Sequence, residues 1–242
     1  MVVNATPDGY TLLAVTVTNA VNATLYTNLN FDLTHDIAPV AATFRSPNVL
    51  VVTPSLPVKT LPEFIAYAKA RPGQINYASA GFGSAPNVNA ELFKSKTGVD
   101  LVHVPYSGSF VPDLLSGQVQ AAFPPIPLAI ANIRAGNLRA LAVTSATPSA
   151  ALPGVPAVAE FVPGFEATIW HGIGAPKNTP AAIVDKLNRE INAVLADSKT
   201  KQRFADLGGE AIGGSPAEFG RLITDEIKKW GEVVKFADIK PA

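Results

Sequence analysis

The chain of 242 residues contains no cysteine, which excludes disulfide bonds, thiolate nucleophiles and cysteine-based zinc sites. Charged residues make up only 16% of the sequence, and the 19 Lys and Arg residues balance the 19 Asp and Glu residues. Because the formal net charge is zero, the chain lacks the basic surface that nucleic-acid binding requires. The three histidines are far apart and form no metal-spaced pair. We therefore predict no nucleic-acid partner, no metal site and no cofactor.

Long apolar runs are also missing, since no stretch of about 18 apolar residues could span a bilayer. The nearest candidate, residues 119–133, is interrupted by Pro124, Pro125 and Pro127. The first residues of the printed sequence contain neither the basic nor the apolar region of a secretory signal. We therefore expect no direct insertion into a membrane.

Short β-branched runs alternate with helical patterns through much of the sequence. The predicted strands are 50–53, 74–79, 99–104, 118–123 and 138–144, and the predicted helices are 61–70, 84–96, 112–116 and 128–135. This alternation is typical of a parallel sheet with helices on both faces. The proline-rich passage 148–163 predicts a crossover between domains. A strand at 168–175 and two capped helices, starting at Thr179 and Ser215, complete the prediction.

The segment 77–87 carries the most chemical information in the chain. A short strand breaks at Gly81 and Gly83 and restarts as a helix, with Ser84 in the N-cap position. Free N–H groups at a helix start, together with the positive end of the helix dipole, suit an anion. The segment therefore predicts a pocket that holds a carboxylate. The alternative is an ordinary strand–helix turn with a serine cap.

Many phrases, distributed over nearly the whole chain, resemble the extracytoplasmic solute receptors of tripartite tricarboxylate transporters, also called Bug or TctC-type receptors. The matching phrases include residues 7–13, 22–26, 77–84, 91–93, 103–106, 115–119, 133–145, 163–166, 170–176 and 213–219. The resemblance implies a periplasmic location and a two-lobed α/β fold of the type II periplasmic-binding-protein (Venus flytrap) class. It also implies a receptor that catalyses nothing, binds a small carboxylate or dicarboxylate between its lobes and delivers it to membrane transporter subunits. We expect a monomer.

The resemblance also predicts the domain organisation. Residues 1–48 and 165–242 are expected to form lobe 1, and residues 49–164 to form lobe 2. Family members have a further βαβ unit, with a Pro-Gly-Gly loop, before the phrase at residues 7–13. We therefore expect an N-terminally truncated member that lacks this first βαβ unit of lobe 1.

The resemblance and the capping pattern together predict a set of ligand-binding residues. These are Thr16, Thr18, Asn19, Ser79, Gly81, Gly83, Ser84, Tyr106 and Trp170. Loop amides and hydroxyl groups, rather than a salt bridge, are expected to hold the ligand. The alternatives are a purely structural cap at Ser84, local turn hydrogen bonds at Thr16 and Thr18, and core packing for Tyr106 and Trp170.

The sequence departs from the family pattern at further positions. Asn19 and Asn87 stand where many members carry histidine, the loop after Tyr106 is about two residues short, and Phe-Pro-Pro at 123–125 replaces a polar pair. We expect these changes to alter ligand choice. Two other functions stay open at this point, an α/β hydrolase that uses a serine near 79–84 and a fragment without binding function. The hydrolase lacks the Gly-x-Ser-x-Gly elbow.

Overall fold

The computed structural model describes residues 2–26 and 28–240. The strands are β1 (Leu13–Thr16), β2 (Ile37–Pro47), β3 (Val49–Val52), β4 (Asn76–Ser79), β5 (Val102–Pro105), β6 (Ala121–Ala122), β7 (Arg139–Val143), β8 (Thr168–Pro176) and β9 (Glu210–Gly213). The helices are α1 (Val17–Leu25), α2 (Leu61–Lys69), α3 (Ala85–Thr97), α4 (Val111–Ser116), α5 (Ile126–Arg134), α6 (Ala181–Ala196), α7 (Ser198–Asp206) and α8 (Pro216–Phe236). Short 3₁₀ turns occupy Val2–Asn4 and Val158–Glu160.

The chain divides into two compact units. Unit 1 consists of the described residues up to Arg45 together with Trp170–Val234. Unit 2 consists of Ser46–Ile169 together with the described residues from Lys235 onward. The chain passes from unit 1 to unit 2 within β2 and returns within β8. Each unit contains one sheet.

The sheet of unit 1 has the strand order β1–β8–β2–β9. β1 runs antiparallel to β8, with Val15 opposite Gly172, and β9 runs antiparallel to β2. Helix α6 packs on this sheet, since Val184 joins Val40 and Ala175 in one buried cluster. The core of this unit is thus formed by strands that are far apart in sequence.

The sheet of unit 2 has the order β5–β4–β6–β3–β7 and is mixed. β4 is parallel to β5 and β6, whereas β3 is antiparallel to β6 and β7. The prediction of an all-parallel sheet was therefore wrong. The apolar run of β3 reports burial but not strand direction, so it does not show that β3 runs antiparallel to β6 and β7.

Sequence patterns located most of the remaining elements but missed α1, α7, β2 and β9. The predicted strand 118–123 shrinks to Ala121–Ala122 in the structure. In the described part of the chain, no helix is both long and apolar enough to cross a bilayer.

Candidate functional site

A tight turn of residues 79–84, called the glycine turn below, joins β4 to α3. Gly81 and Gly83 have φ angles of +100° and +72°, which glycine adopts without a steric penalty. The turn places the start of a 13-residue helix at the carboxyl end of β4, which has a parallel neighbour on each side. This end of the strands is where open α/β sheets bind ligands.

The glycine turn is held in shape by its own amides. The N–H of Gly81 donates to Ser79 Oγ at 3.1 Å, and the N–H of Gly83 donates to Asn87 Oδ1 at 3.0 Å. The N–H of Ser84 donates to the carbonyl oxygen of Gly81 at 3.3 Å. The sequence-based expectation that the amides at these glycines are free was therefore wrong, because side chains of the same segment accept from them.

Three other amides are available instead. The N–H groups of Phe82, Ala85 and Asn87 have no hydrogen-bond acceptor in the part of the chain that the structure describes. Ala85 and Asn87 lie in the first turn of α3, where intrahelical acceptors do not exist. The Phe82 side chain is 49% exposed, so solvent reaches this part of unit 2. The arrangement can bind an anion with two or three N–H donors and the helix dipole.

Ser84 occupies the N-cap position of α3 but does not cap it with its side chain. Its hydroxyl donates to the carbonyl oxygen of Gly81 at 2.6 Å. The predicted N-cap position of Ser84 is thus confirmed, but its hydroxyl makes no capping hydrogen bond, because a carbonyl within the turn competes for it. The consequence is favourable for a ligand, because the amides of the first helical turn stay unsatisfied.

His103 on β5 lies against Ser79, the last residue of β4. Its Nε2 is 2.6 Å from Ser79 Oγ, and its ring stacks on Tyr77 with the centroids 4.9 Å apart. Phe82 makes a T-shaped contact with the same ring, at 4.8 Å between centroids. Burial, and secondarily the nearby Lys94 ammonium, lowers the pKa of His103 to about 4. The imidazole is therefore neutral at physiological pH.

The contact between Ser79 and His103 has the distance of a nucleophile–base pair, but other features argue against catalysis. Ser79 is fully buried, and its hydroxyl also bonds the amide and carbonyl of Gly81. A base with a pKa near 4 is poorly matched to proton abstraction at neutral pH. The pair instead ties β5 to the glycine turn.

A buried polar chain beneath the glycine turn was not predicted. Asn87 Nδ2 donates to the Tyr77 hydroxyl at 2.9 Å, and that hydroxyl donates to Glu91 Oε1 at 2.6 Å. Lys94 Nζ completes the chain, 3.1 Å from each carboxylate oxygen of Glu91. Burial, and secondarily the Glu91 charge, raises the pKa of Tyr77 far above its ordinary value, which keeps this phenol protonated. The signal in the sequence is the helical spacing of Asn87, Glu91 and Lys94.

The predicted ligand-binding residues Thr16, Thr18 and Asn19 lie in a strand and a helix rather than in a loop. Thr16 ends β1, and Thr18 and Asn19 lie in the first turn of α1. Asn19 Oδ1 accepts from the backbone N–H of Thr16 at 2.8 Å and from its hydroxyl at 3.0 Å. Thr18 is exposed. Unit 1 thus presents a helix start of its own, in which Asn19, three residues past the cap, holds the cap residue Thr16.

Tyr106 and Trp170 occupy different environments. The Tyr106 hydroxyl donates to Asp113 Oδ2 at 2.7 Å, and burial, with the Asp113 hydrogen bond as a second cause, raises its pKa to about 12. Trp170 is 2% exposed, and its indole N–H donates to Glu226 Oε2 at 2.8 Å. The expectation of a cleft-wall aromatic is not met at Trp170, because the ring packs in the core of unit 1, whereas Tyr106 is half-buried.

Acidic and histidine side chains in the described residues form no group of three or more that could hold a metal ion. The donors near the glycine turn are N–H groups and hydroxyls, and these suit an anion rather than a cation.

Comparison with known proteins agrees with these features. The sequence model described as "Tripartite tricarboxylate transporter family receptor" (TctC) matches residues 1–239. Protein BugT of Bordetella pertussis is 38% identical over 233 residues, which are 94% of this chain and 72% of that protein.

Solved structures extend the similarity to three dimensions. Rpa4515 of R. palustris, solved with adipate, has a TM-score of 0.87 and 37% identity, and the match covers 100% of this chain and 82% of that one. MatC (Rpa3494) from Rhodopseudomonas palustris, with bound malate, has a TM-score of 0.82 and 31% identity, covering 96% and 82%. The fold is therefore that of the periplasmic binding proteins. Members are periplasmic solute receptors and not enzymes, and the chain belongs to this tripartite tricarboxylate transporter receptor family.

Proposed function

We propose that this protein is a receptor that binds a small mono- or dicarboxylate and delivers it to membrane subunits of a tripartite tricarboxylate-type transporter. One carboxylate group of the ligand accepts hydrogen bonds from the amides of Phe82, Ala85 and Asn87. Ser84 borders the carboxylate, and its hydroxyl donates to the carbonyl oxygen of Gly81. No cofactor or metal takes part.

The observation that carries this proposal is the unpaired start of α3. Its amides lack acceptors in the described structure, while the neighbouring amides of Gly81 and Gly83 are used to fix the turn. N–H groups without acceptors are costly once a bound ligand removes water from them. They therefore favour a negatively charged acceptor. Two solved relatives with adipate and malate support the choice of a carboxylate.

The finer parts of the proposal follow from the family resemblance. Residues 1–48 with 165–242 form one lobe and residues 49–164 the other, and the ligand binds between them. The compact units, with boundaries after Arg45 and Ile169, support this division except at the C-terminus, where the described residues from Lys235 onward group with unit 2. Thr16, Thr18 and the amides at the start of α1 hold the distal end of a dicarboxylate, and Tyr106 borders the ligand.

The location, oligomeric state and partners of the receptor are also proposed from the family resemblance. The protein works in the periplasm as a monomer, does not insert into the membrane and binds no nucleic acid. Trp170 is left out of the direct contacts, since its indole N–H is used by Glu226.

Isothermal titration calorimetry with a panel of organic acids tests the proposal. We expect saturable binding of at least one mono- or dicarboxylate, such as succinate, malate or adipate. The matched dimethyl esters should give no heat, because they lack the anionic charge that the amides recognise. If no acid in a broad panel gave heat or raised the melting temperature, the proposal would be wrong.

Ala85→Pro is the sharpest variant for the proposed site. Proline removes the Ala85 N–H but is well tolerated at the first position of a helix, and the extended backbone of Ser84 suits a following proline. Loss of one hydrogen bond to a charged group should weaken binding roughly tenfold to a hundredfold. The matched control is Ala181→Pro, at the first position of α6, where the preceding residue is also extended. Equal affinity of the two variants would contradict the assigned amides.

A further inference from the structure

The buried polar chain beneath the glycine turn has a direction. Glu91 is acceptor-only when ionised, so the single hydroxyl proton of Tyr77 points to it. The Tyr77 oxygen is then left to accept, and it accepts from Asn87 Nδ2. With its NH₂ group committed, Asn87 presents Oδ1 to the N–H of Gly83.

Burial makes this direction strict. Tyr77 is fully buried and Asn87 and Glu91 are nearly so, which leaves no water to replace a lost partner. An amide group turned the other way would set its NH₂ against the Gly83 N–H and its oxygen against the Tyr77 oxygen. Both contacts are repulsive, so the carboxylate of Glu91 determines the orientation of an amide four residues away.

We propose that Glu91 and Tyr77 are positioning residues for the ligand site, acting through Asn87 to hold the glycine turn in the shape that presents the Phe82 and Ala85 amides. This inference rests on the proposed carboxylate site and adds two residues that touch no ligand. Lys94 forms an ion pair with the Glu91 carboxylate at 3.1 Å and holds that side chain in place. Without these buried hydrogen bonds, the glycine turn must become ordered when the ligand binds. The entropy lost in that ordering lowers the affinity.

Tyr77→Phe directly tests the buried hydrogen bonds that join Asn87, Tyr77 and Glu91. The variant keeps the ring that stacks on His103 but removes the acceptor of Asn87 Nδ2. We expect the amide of Gly83 to exchange with solvent deuterium roughly tenfold faster or more, and the affinity for a bound carboxylate to fall about tenfold. Tyr67→Phe is the matched control, because the Tyr67 ring lies on α2 of the same unit and stacks with Arg71 rather than with this chain. Unchanged exchange at Gly83 in Tyr77→Phe would overturn the proposal.

A pair of substitutions that reverses the donor and acceptor roles at positions 87 and 91 distinguishes a positioning role from a packing role. In Asn87→Asp, two carboxylates compete for the one Tyr77 proton, so this variant should melt at a lower temperature and lose protection at Gly83. When Glu91→Gln is added, the new side-chain amide at position 91 can donate to Tyr77, whose proton then turns to the carboxylate at position 87. The double variant should therefore recover both the melting temperature and the protection at Gly83 relative to Asn87→Asp alone. Losses that simply add would overturn the proposal.

These outcomes are independent of the identity of the ligand. If the unmodified protein binds no carboxylate, the proposed function is wrong, but exchange at Gly83 and the recovery in the double variant still test the chain. If carboxylates bind and Tyr77→Phe leaves both affinity and exchange unchanged, the proposed function stands and the positioning role is wrong.

Discussion

His103 is a half-buried imidazole whose charge state is fixed by its surroundings. It contacts the rings of Tyr77 and Phe82 and the Ser79 hydroxyl. Since its pKa is held near 4, it contributes no positive charge to the glycine turn at neutral pH. The proposed anion binding at this turn therefore rests on N–H dipoles rather than on an imidazolium ion.

The low pKa of His103 predicts a dependence of stability on pH. The unfolded chain protonates this residue below its ordinary pKa of 6.5, whereas the folded protein does so only near 4. Between these values the unfolded state binds more protons, so the melting temperature should fall as the pH is lowered from 6.5 to 4. His171, whose pKa is also lowered by burial, acts in the same direction. His103→Gln should give a shallower fall in a series of thermal melts, and an identical slope in the variant and the unmodified protein would contradict this.

Asn19 and Asn87 show the same use of an amide side chain in the two units. Each is the third residue of a helix, and each accepts a backbone N–H from the segment before it. Each side chain thereby fixes the approach to a helix start, although direct contact of Asn19 with a ligand stays a prediction.

Among the secondary-structure elements, β8 and α8 are joined by one carboxylate. Glu226 Oε2 accepts from the indole N–H of Trp170 at 2.8 Å and from that of Trp230 at 2.7 Å. Lys229 bonds the other oxygen, Oε1. Because both tryptophans are buried, this carboxylate satisfies two donors that would otherwise lack partners.

The close approach of α8 to β8 predicts a large effect at Gly172. A Cβ atom there would overlap the ring of Phe219 and lie 2.7 Å from the carbonyl oxygen of Ala41. Gly172→Ala should therefore reduce the free energy of unfolding by about 1–3 kcal/mol, measured by urea denaturation. Gly108→Ala is the control, since a Cβ atom at Gly108 meets no atom within 4 Å. Similar unfolding energies for the two variants would contradict this packing of α8 on β8.

Over the whole molecule, the balance of charges predicts weak salt dependence. The formal net charge is zero, and the proposed donors at α3 are amides rather than Lys or Arg side chains. Affinity for a carboxylate should therefore change by less than about threefold between roughly 20 and 500 mM NaCl. Calorimetry at the two concentrations measures this. A loss of tenfold or more would indicate a cationic side chain in the site.

The sequence was sufficient for much of the local structure and for the family. Periodicity and capping residues located α2, α3, α6 and α8 to within a few residues, because amphipathic spacing and helix starts are local properties. The glycine turn and the helix that follows it could likewise be predicted, since only glycine adopts positive φ freely. The absence of cysteine and the neutral charge excluded whole classes of site.

Other features were decided only by tertiary structure. The direction of β3 depends on how the chain enters unit 2, which a buried apolar run does not record. Which amides of the glycine turn stay free depends on Ser79 and Asn87, whose side chains reach Gly81 and Gly83 only in the folded chain. The sequence by itself determined that a helix starts directly after the glycine turn; hydrogen-bond competition among groups brought together by folding decided which of its amides lack acceptors.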